Sequence, residues 1–351
     1  MDALVLALAF VIILAGAELF TNGVEWFGRK LGLAEGAVGS VLAAVGTALP
    51  ETTIPIVAIL FSSGAHSSEI GLGAILGAPF MLATLAMFVT GAAVMWQARR
   101  REARDVMPID GAVLRTDLLF FFGMYGLAIG AAMVLPIEPT WPKVLVAVAL
   151  FGFYGRYVQI HFEADPSVDL EDLAPLRLHR LDRHGRRVQP LEPRLRIVSV
   201  QVVVALACIV LGAVVFVDAV DRIARAIGVS EVLLALVIAP IATELPEKLN
   251  SIIWIRQGKD TLAIGNITGA MVFQSAIPVS VALLFAPTQW VVAEGSYTAF
   301  LSAGIAILAT ALIFAPAIRG GRVRVRGRRL LLGGAFYALY LGVIAAVISQ
   351  G

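Results

Sequence analysis

The sequence predicts an all-α membrane protein: ten transmembrane helices, arranged as two inverted five-helix repeats with broken helices at the midplane. Three observations carry that expectation. Hydrophobic residues fill 59% of the 351 positions and mean hydropathy is +0.88, which is outside the range of soluble globular chains. Residues 16–51 align without a gap on residues 212–247, at a constant offset of 196. Both aligned stretches end in a proline and a carboxylate set inside an apolar run, Gly46-Thr47-Ala48-Leu49-Pro50-Glu51 and Ala242-Thr243-Glu244-Leu245-Pro246-Glu247.

In chain order, apolar runs of spanning length place the helices near 3–22, 33–61, 70–97, 113–134, 142–162, 197–217, 230–256, 261–286, 297–317 and 329–349. The first run lacks a basic leader and a cleavage site, so it reads as a span and not as a removed signal peptide. The connections after spans one, three, five, seven and nine carry clustered Arg or Lys, among them Arg99, Arg100, Arg101 and Arg104, and Arg319 to Arg329; the connection after span six is the exception, with Arg222 and Arg225 partly balanced by Asp218 and Asp221. The positive-inside rule then puts the odd connections in the cytoplasm and both termini outside, in the inner (plasma) membrane. The longest connection, 163–196, is basic and holds Pro166, Pro175, Pro190 and Pro193. It reads as an irregular cytoplasmic linker between a first membrane repeat, 1–162, and a second, 197–351. These basic loops set orientation, and no nucleic-acid partner is expected. Cys208 is the single cysteine, which rules out an internal disulfide. His66, His161, His179 and His184 lie in loops or at span ends without metal-ligand spacing and read as solvated. Glu18 and Asn22 read as markers of the membrane interface.

The repeat resumes after the breaks, with Gly73/Gly265, Ile75/Ile267, Gly77/Gly269 and Ala78/Ala270 at an offset of 192. Five spans per half is an odd number, so equivalent spans enter from opposite sides. Inverted repeats with broken helices at the midplane are the architecture of alternating-access transporters. The four glycines form small-xxx-small pairs that permit close helix packing.

The breaks carry the chemistry. Pro50 displaces the carbonyl four residues back, that of Gly46, and Pro246 does the same to Ala242. A freed carbonyl beside a carboxylate is an oxygen cage for a hard cation. A carboxylate at bilayer depth marks a functional site by default, which singles out Glu51 and Glu247. The competing reading, a structural charge paired with a buried base, has no candidate base in the span of Glu51. For Glu247 it has the adjoining Lys248.

Two five-span repeats, each with a Gly-Thr-Ser-Leu-Pro-Glu-like break, resemble the sodium/calcium exchanger family and the wider cation/calcium exchanger superfamily. The resemblance covers nearly the whole chain, and its specific part lies in about 33–90 and 230–280. It implies that Glu51 and Glu247 coordinate Ca2+, that Thr47 and Thr243 add carbonyl or hydroxyl oxygens, and that Na+ uses overlapping positions. The sequence departs from the family pattern in places. The Ser after the break Thr is Ala48 in one half and Glu244 in the other. The downstream Gly-Asn-x-x-Gly-Ser-Asn reads Gly73-Ala74-Ile75-Leu76-Gly77-Ala78-Pro79 and Gly265-Asn266-Ile267-Thr268-Gly269-Ala270-Met271. Asn266 is thus a ligand candidate in the second half alone, with Gln274 further on.

Glu244 and Lys248 are spaced i, i+4 and share a helix face if the Pro246 break permits. One reading is a compensated pair that preserves the site charge. The other makes Glu244 a ligand or proton carrier and Lys248 a tethered cation. Asn250, Ser251, Thr52 and Thr53 read as path-lining groups or as interhelical hydrogen bonds. The expected function is Na+/Ca2+ antiport by alternating access, with spans one and six moving against a core of spans two, three, seven and eight. Ca2+/H+ or other cation/proton antiport is the alternative, and a non-transporting membrane scaffold or ion sensor is the alternative from another class. An intramembrane metalloenzyme would need His or Cys clusters that no span holds. No enzymatic activity and no resident cofactor are expected. The expected partners are the transported inorganic cations, Ca2+ with Na+ or H+, and the lipid bilayer; the sequence names no protein partner.

Overall fold

The structure is a computed structural model that describes residues 2–48, 52, 56, 59, 65–164, 173–179, 193–226, 244–293, 296–315 and 323–350. Residues 49–51, with Pro50 and Glu51, and residues 227–243, with Ala242 and Thr243, lie outside the described residues. Within those limits the chain is helical in ten stretches, eight of them long and apolar enough to cross a membrane.

Helix α1 (Asp2–Leu31) continues well past the expected end near residue 22. Its polar residues do not stop it because they find partners. Asn22 was expected at the interface, yet it is buried, and its Oδ1 accepts from the backbone of Arg177 at 3.0 Å and from Gln201 Nε2 at 2.9 Å. Trp26 Nε1 donates to the carbonyl of Ala174 at 2.9 Å, so residues 173–179 of the linker lie against this helix. A Schellman ending closes α1: Gly32 takes φ +65°, and Leu33 N donates to Gly28 O at 2.9 Å. The repeat-equivalent helix, α6 (Leu195–Ala226), packs along α1. The equivalent glycines make that approach possible. A Cβ on Gly16 would meet Cys208 Cβ at 3.1 Å, and one on Gly212 would meet Ile13 at 2.8 Å.

The second span begins as α2, a π-helical segment (Ala37–Ala43) running into an α-helical turn (Ala44–Thr47). The third, α3, runs from Ala65–Met81 through a π segment (Leu82–Ala86) into Met87–Gln97. Next come α4 (Gly111–Val134) and α5 (Trp141–Glu163). Asp110 caps α4, its Oδ1 accepting from Ala112 N at 2.7 Å. After α6 the described chain resumes with α7 (Leu245–Arg256), α8 (Asp260–Phe285), α9 (Tyr297–Phe314) and α10 (Gly327–Leu330 with Leu332–Gln350). The centre is α8: 83% of its membrane-length window is buried, against 28% for α1. That contrast explains why α8 shows no polar stripe. It has neighbours on every side, while α1 turns one face to lipid.

The connections after spans three and nine were read as basic loops, yet each holds a short strand, β1 (Val106–Ile109) and β2 (Val323–Arg326), paired antiparallel with Val106 opposite Arg326. Their side chains alternate: Met107, Ile109, Val323 and Val325 are buried, and Arg324 and Arg326 face out. A Cβ on Gly269 would lie 2.0 Å from Ser40 O, so α8 crosses α2 backbone to backbone. Among the described residues a Cβ on Gly73 or Gly77 would meet nothing within 4 Å. Close packing is thus direct at the second-half pair; the segment equivalent to α2, within 227–243, lies outside the described residues.

At one end of the bundle, Arg101 donates to Asp260 Oδ2 at 2.5 Å and to Ile255 O at 2.8 Å. At that same end Glu25 of α1 accepts from Trp254 Nε1 at 2.7 Å and pairs with Lys259.

Candidate cation site

Pro246 sits in the first turn of α7, where its missing N–H costs nothing. Glu247 follows in the same turn and is fully buried. A helix N-terminus carries partial positive charge, which favours a carboxylate in that position. Thr47 closes α2 at the opposite kind of terminus, where the last carbonyls carry partial negative charge. Among the described residues, the second break therefore places a carboxylate on a positive helix end, and the first places carbonyl and hydroxyl oxygens on a negative one.

Asn266 joins them. From the second turn of α8 its Nδ2 donates to the Glu247 carbonyl at 3.2 Å, and its Oδ1 accepts from Thr47 Oγ1 at 3.4 Å. Thr47 Oγ1 also stands 3.0 Å from Ala43 O, so its proton is shared between these two acceptors. The hydroxyl has a single proton, so its oxygen keeps lone pairs for a cation. Ser251 Oγ donates to Ala263 O at 3.0 Å and lies 3.5 Å from Asn266 Nδ2, which fixes α7 against α8.

Around this bridge the polar inventory is rich. Glu244 and Lys248 pair at 2.9 Å, and Lys248 Nζ also reaches the Glu244 carbonyl at 3.3 Å. Both side chains are buried. Asn250 is fully buried, and neither its amide oxygen nor its amide nitrogen has a hydrogen-bond partner among the described residues. Gln274 is buried on α8. Gly46 is buried directly beneath the paired helices α1 and α6: a Cβ there would meet Phe20 at 2.9 Å and Leu206 at 3.1 Å.

Of the eight ligand candidates, Thr47, Asn266, Glu247 and Glu244 are brought to the α2–α7–α8 junction, and Gly46 adjoins it. Glu51, Thr243 and Ala242 lie outside the described residues. Thr52, a path-lining candidate, is buried, and its hydroxyl has no partner among the described residues.

Sequence reasoning missed a second buried polar centre. Asp117 of α4 is fully buried and accepts four contacts. Ser40 Oγ of α2 donates to its Oδ2 at 2.8 Å, and Thr268 Oγ1 of α8 at 2.5 Å. Tyr157 Oη of α5 donates to its Oδ1 at 2.8 Å, and His161 Nε2 stands 3.0 Å away. His161 was expected to be solvated, yet it is buried; it lies one helical turn beyond Tyr157 on the face of α5 turned to the core. The signal was present: a carboxylate a few residues inside an apolar span, and an i, i+4 Tyr–His pair on the next one.

A family model described as sodium/calcium exchanger protein matches residues 1–162 and 197–349. The chain is 24% identical over 326 residues to the sodium/calcium exchanger MaX1 of Methanosarcina acetivorans, covering 89% of this chain and 90% of that one. It is 23% identical over 293 residues to the inner membrane protein YrbG of Escherichia coli, covering 81% and 80%. Among solved structures, the sodium-calcium exchanger NCX_Mj soaked with 2.5 mM Na+ and 0.1 mM Ca2+ superposes with TM-score 0.70 at 16% identity, over 97% of each chain. That likeness is one of fold.

Proposed function

The chain belongs to the sodium/calcium exchanger family, and from that premise we propose that it exports Ca2+ in exchange for Na+ by alternating access. In this reading the chain is a transporter and not an enzyme. Its halves are a first membrane repeat, 1–162, and a second, 197–351, inverted in the inner membrane, joined by a cytoplasmic linker, 163–196, with both termini outside. The cation site is formed by Glu51 and Glu247 with Thr47, Thr243, Glu244, Asn266 and the carbonyls of Gly46 and Ala242. The observation that carries it is the Asn266 amide, which ties the Glu247 carbonyl of one half to the Thr47 hydroxyl of the other. A single cation held at that junction draws on both halves, as a site shared by two repeats requires.

Oxygen chemistry supports the ion class. Carboxylate, carbonyl, hydroxyl and amide oxygens suit Ca2+ and Na+ alike. Access follows from the packing of α1 and α6 over the break at Phe20, Leu206 and Gly46. Those two helices share an interface of small residues, so they move as a pair, and their displacement uncovers one side of the junction at a time.

A second reading, Ca2+/H+ exchange, is favoured by one observation: Glu244 adds a further carboxylate at the junction. The test is 45Ca2+ uptake into proteoliposomes preloaded with Na+, compared with vesicles preloaded with K+ or carrying an imposed proton gradient. Uptake that requires internal Na+ supports the first reading. Uptake that follows the proton gradient and ignores Na+ replaces it with the second, and no uptake under any gradient sinks both.

A further inference from the structure

The two halves differ at one pair of equivalent positions. Ala48 and Thr52 in the first half correspond to Glu244 and Lys248 in the second. Ala48 and Thr52 are buried, and the Thr52 N–H bonds to the Ala48 carbonyl at 3.2 Å. The same backbone turn in the second half carries an acid and a base, with Lys248 N placed 3.5 Å from Glu244 O. The fold thus accepts uncharged side chains at this turn. An ion pair buried in their place is weak evidence for added stability, because desolvating two charges offsets most of their attraction. Its retention calls for another reason.

The surroundings of the ammonium supply one. Lys248 Nζ is held by a carboxylate oxygen at 2.9 Å and a backbone carbonyl oxygen at 3.3 Å, both from Glu244. Those are the donors that a hard monovalent cation takes. Lys248 directly follows Glu247 in α7. An ammonium is a compact point charge on a flexible stem. Here the stem rises from α7 itself and cannot leave during the cycle.

We infer that Lys248 is a tethered cation filling one monovalent-ion position at the junction, so that the exchanger binds one counter-ion fewer per Ca2+ than the same site without it. The inference rests on the antiport reading above and adds the coupling ratio to it. The counter-ion-loaded site crosses low dielectric close to neutral, and the Ca2+-loaded site carries whatever charge is left over. Removing the Lys248 charge therefore demands one more counter-ion. Removing the Glu244 charge while keeping Lys248 demands one fewer. Opposite shifts from the two halves of one ion pair are not what loss of a structural contact produces.

The experiment reads the Ca2+ accumulation ratio at equilibrium in proteoliposomes clamped at zero potential with valinomycin and equal K+, under a tenfold gradient of the counter-ion that drives uptake. Each added counter-ion multiplies the ratio by the gradient. Lys248→Gln should raise accumulation about tenfold over the unaltered protein, and Glu244→Gln should lower it about tenfold. The double variant, whose net charge equals that of the unaltered protein, should return to its ratio. A variant that folds without turning over is read by counting 22Na+ bound per molecule, expected to be one more for Lys248→Gln and one fewer for Glu244→Gln. If Lys248→Gln does not fold, Glu244→Gln alone decides. Unchanged ratios, or shifts in the same direction, overturn the inference while leaving Ca2+ exchange intact. Absence of Ca2+ uptake in the unaltered protein overturns the exchange reading itself, and the coupling inference with it.

Discussion

Two fully buried carboxylates, Asp117 and Glu247, lie in the same helical core in opposite surroundings. Asp117 is closed: Ser40, Thr268, Tyr157 and His161 all address its two oxygens, and they come from α2, α8 and α5. Glu247 is held by its backbone, through Asn266 and the first turn of α7. Beside it stands Asn250, whose amide has no partner among the described residues. A carboxylate whose acceptor capacity is spent on the protein braces helices. The junction beside Glu247 holds an Asn250 amide oxygen with no partner among the described residues and a Thr47 hydroxyl with lone pairs left over, and these have capacity to spend on a cation.

That contrast is broken most directly at Glu247. Glu247→Gln is expected to cut Ca2+ transport by at least about a hundredfold, because a carboxylate is lost where the cation would sit. The melting temperature should hold or rise, since a desolvated charge disappears with it. Asp117→Asn should do the reverse. An amide nitrogen facing donors leaves buried groups unsatisfied, at a cost of about 3 kcal/mol, while flux per folded molecule stays within a few-fold. Thermal melts run beside flux assays on the same preparations separate the two; if Asp117→Asn abolished flux without lowering the melting temperature, the division of labour would be wrong.

Smaller changes sharpen the contrast. Gly269→Ala places a methyl 2.0 Å from Ser40 O at the α2–α8 crossing, and should destabilise by about 2 kcal/mol as the helices part. Asn266→Ala removes the bridge between Thr47 and Glu247. It should weaken Ca2+ half-saturation roughly tenfold, equivalent to about 1.4 kcal/mol, with a smaller change in melting temperature.

Much of the junction was legible in the sequence because membrane physics leaves few options. A proline and a carboxylate in an apolar run must be accommodated, and their recurrence at a fixed offset marked the place. The meeting of Thr47, Glu247 and Asn266 follows from that pattern. Asp117 was not legible because it has no repeat partner and no proline; its meaning comes from Tyr157 and His161, brought to it by the packing of α4 against α5 and α8. Glu25 escaped for a related reason. Its partners, Trp254 and Lys259, sit more than two hundred residues along the chain, and no local spacing announces them. The β1–β2 ribbon joins two loops that each looked merely basic.

The central claim is that Glu247 binds the transported cation. Equilibrium 45Ca2+ binding to the purified protein and to Glu247→Gln tests it without requiring turnover. The prediction is saturable binding by the unaltered protein that Na+ competes away, and no saturable binding by Glu247→Gln at unchanged helix content. Binding by Glu247→Gln with the affinity of the unaltered protein would contradict it and move the cation elsewhere in the bundle.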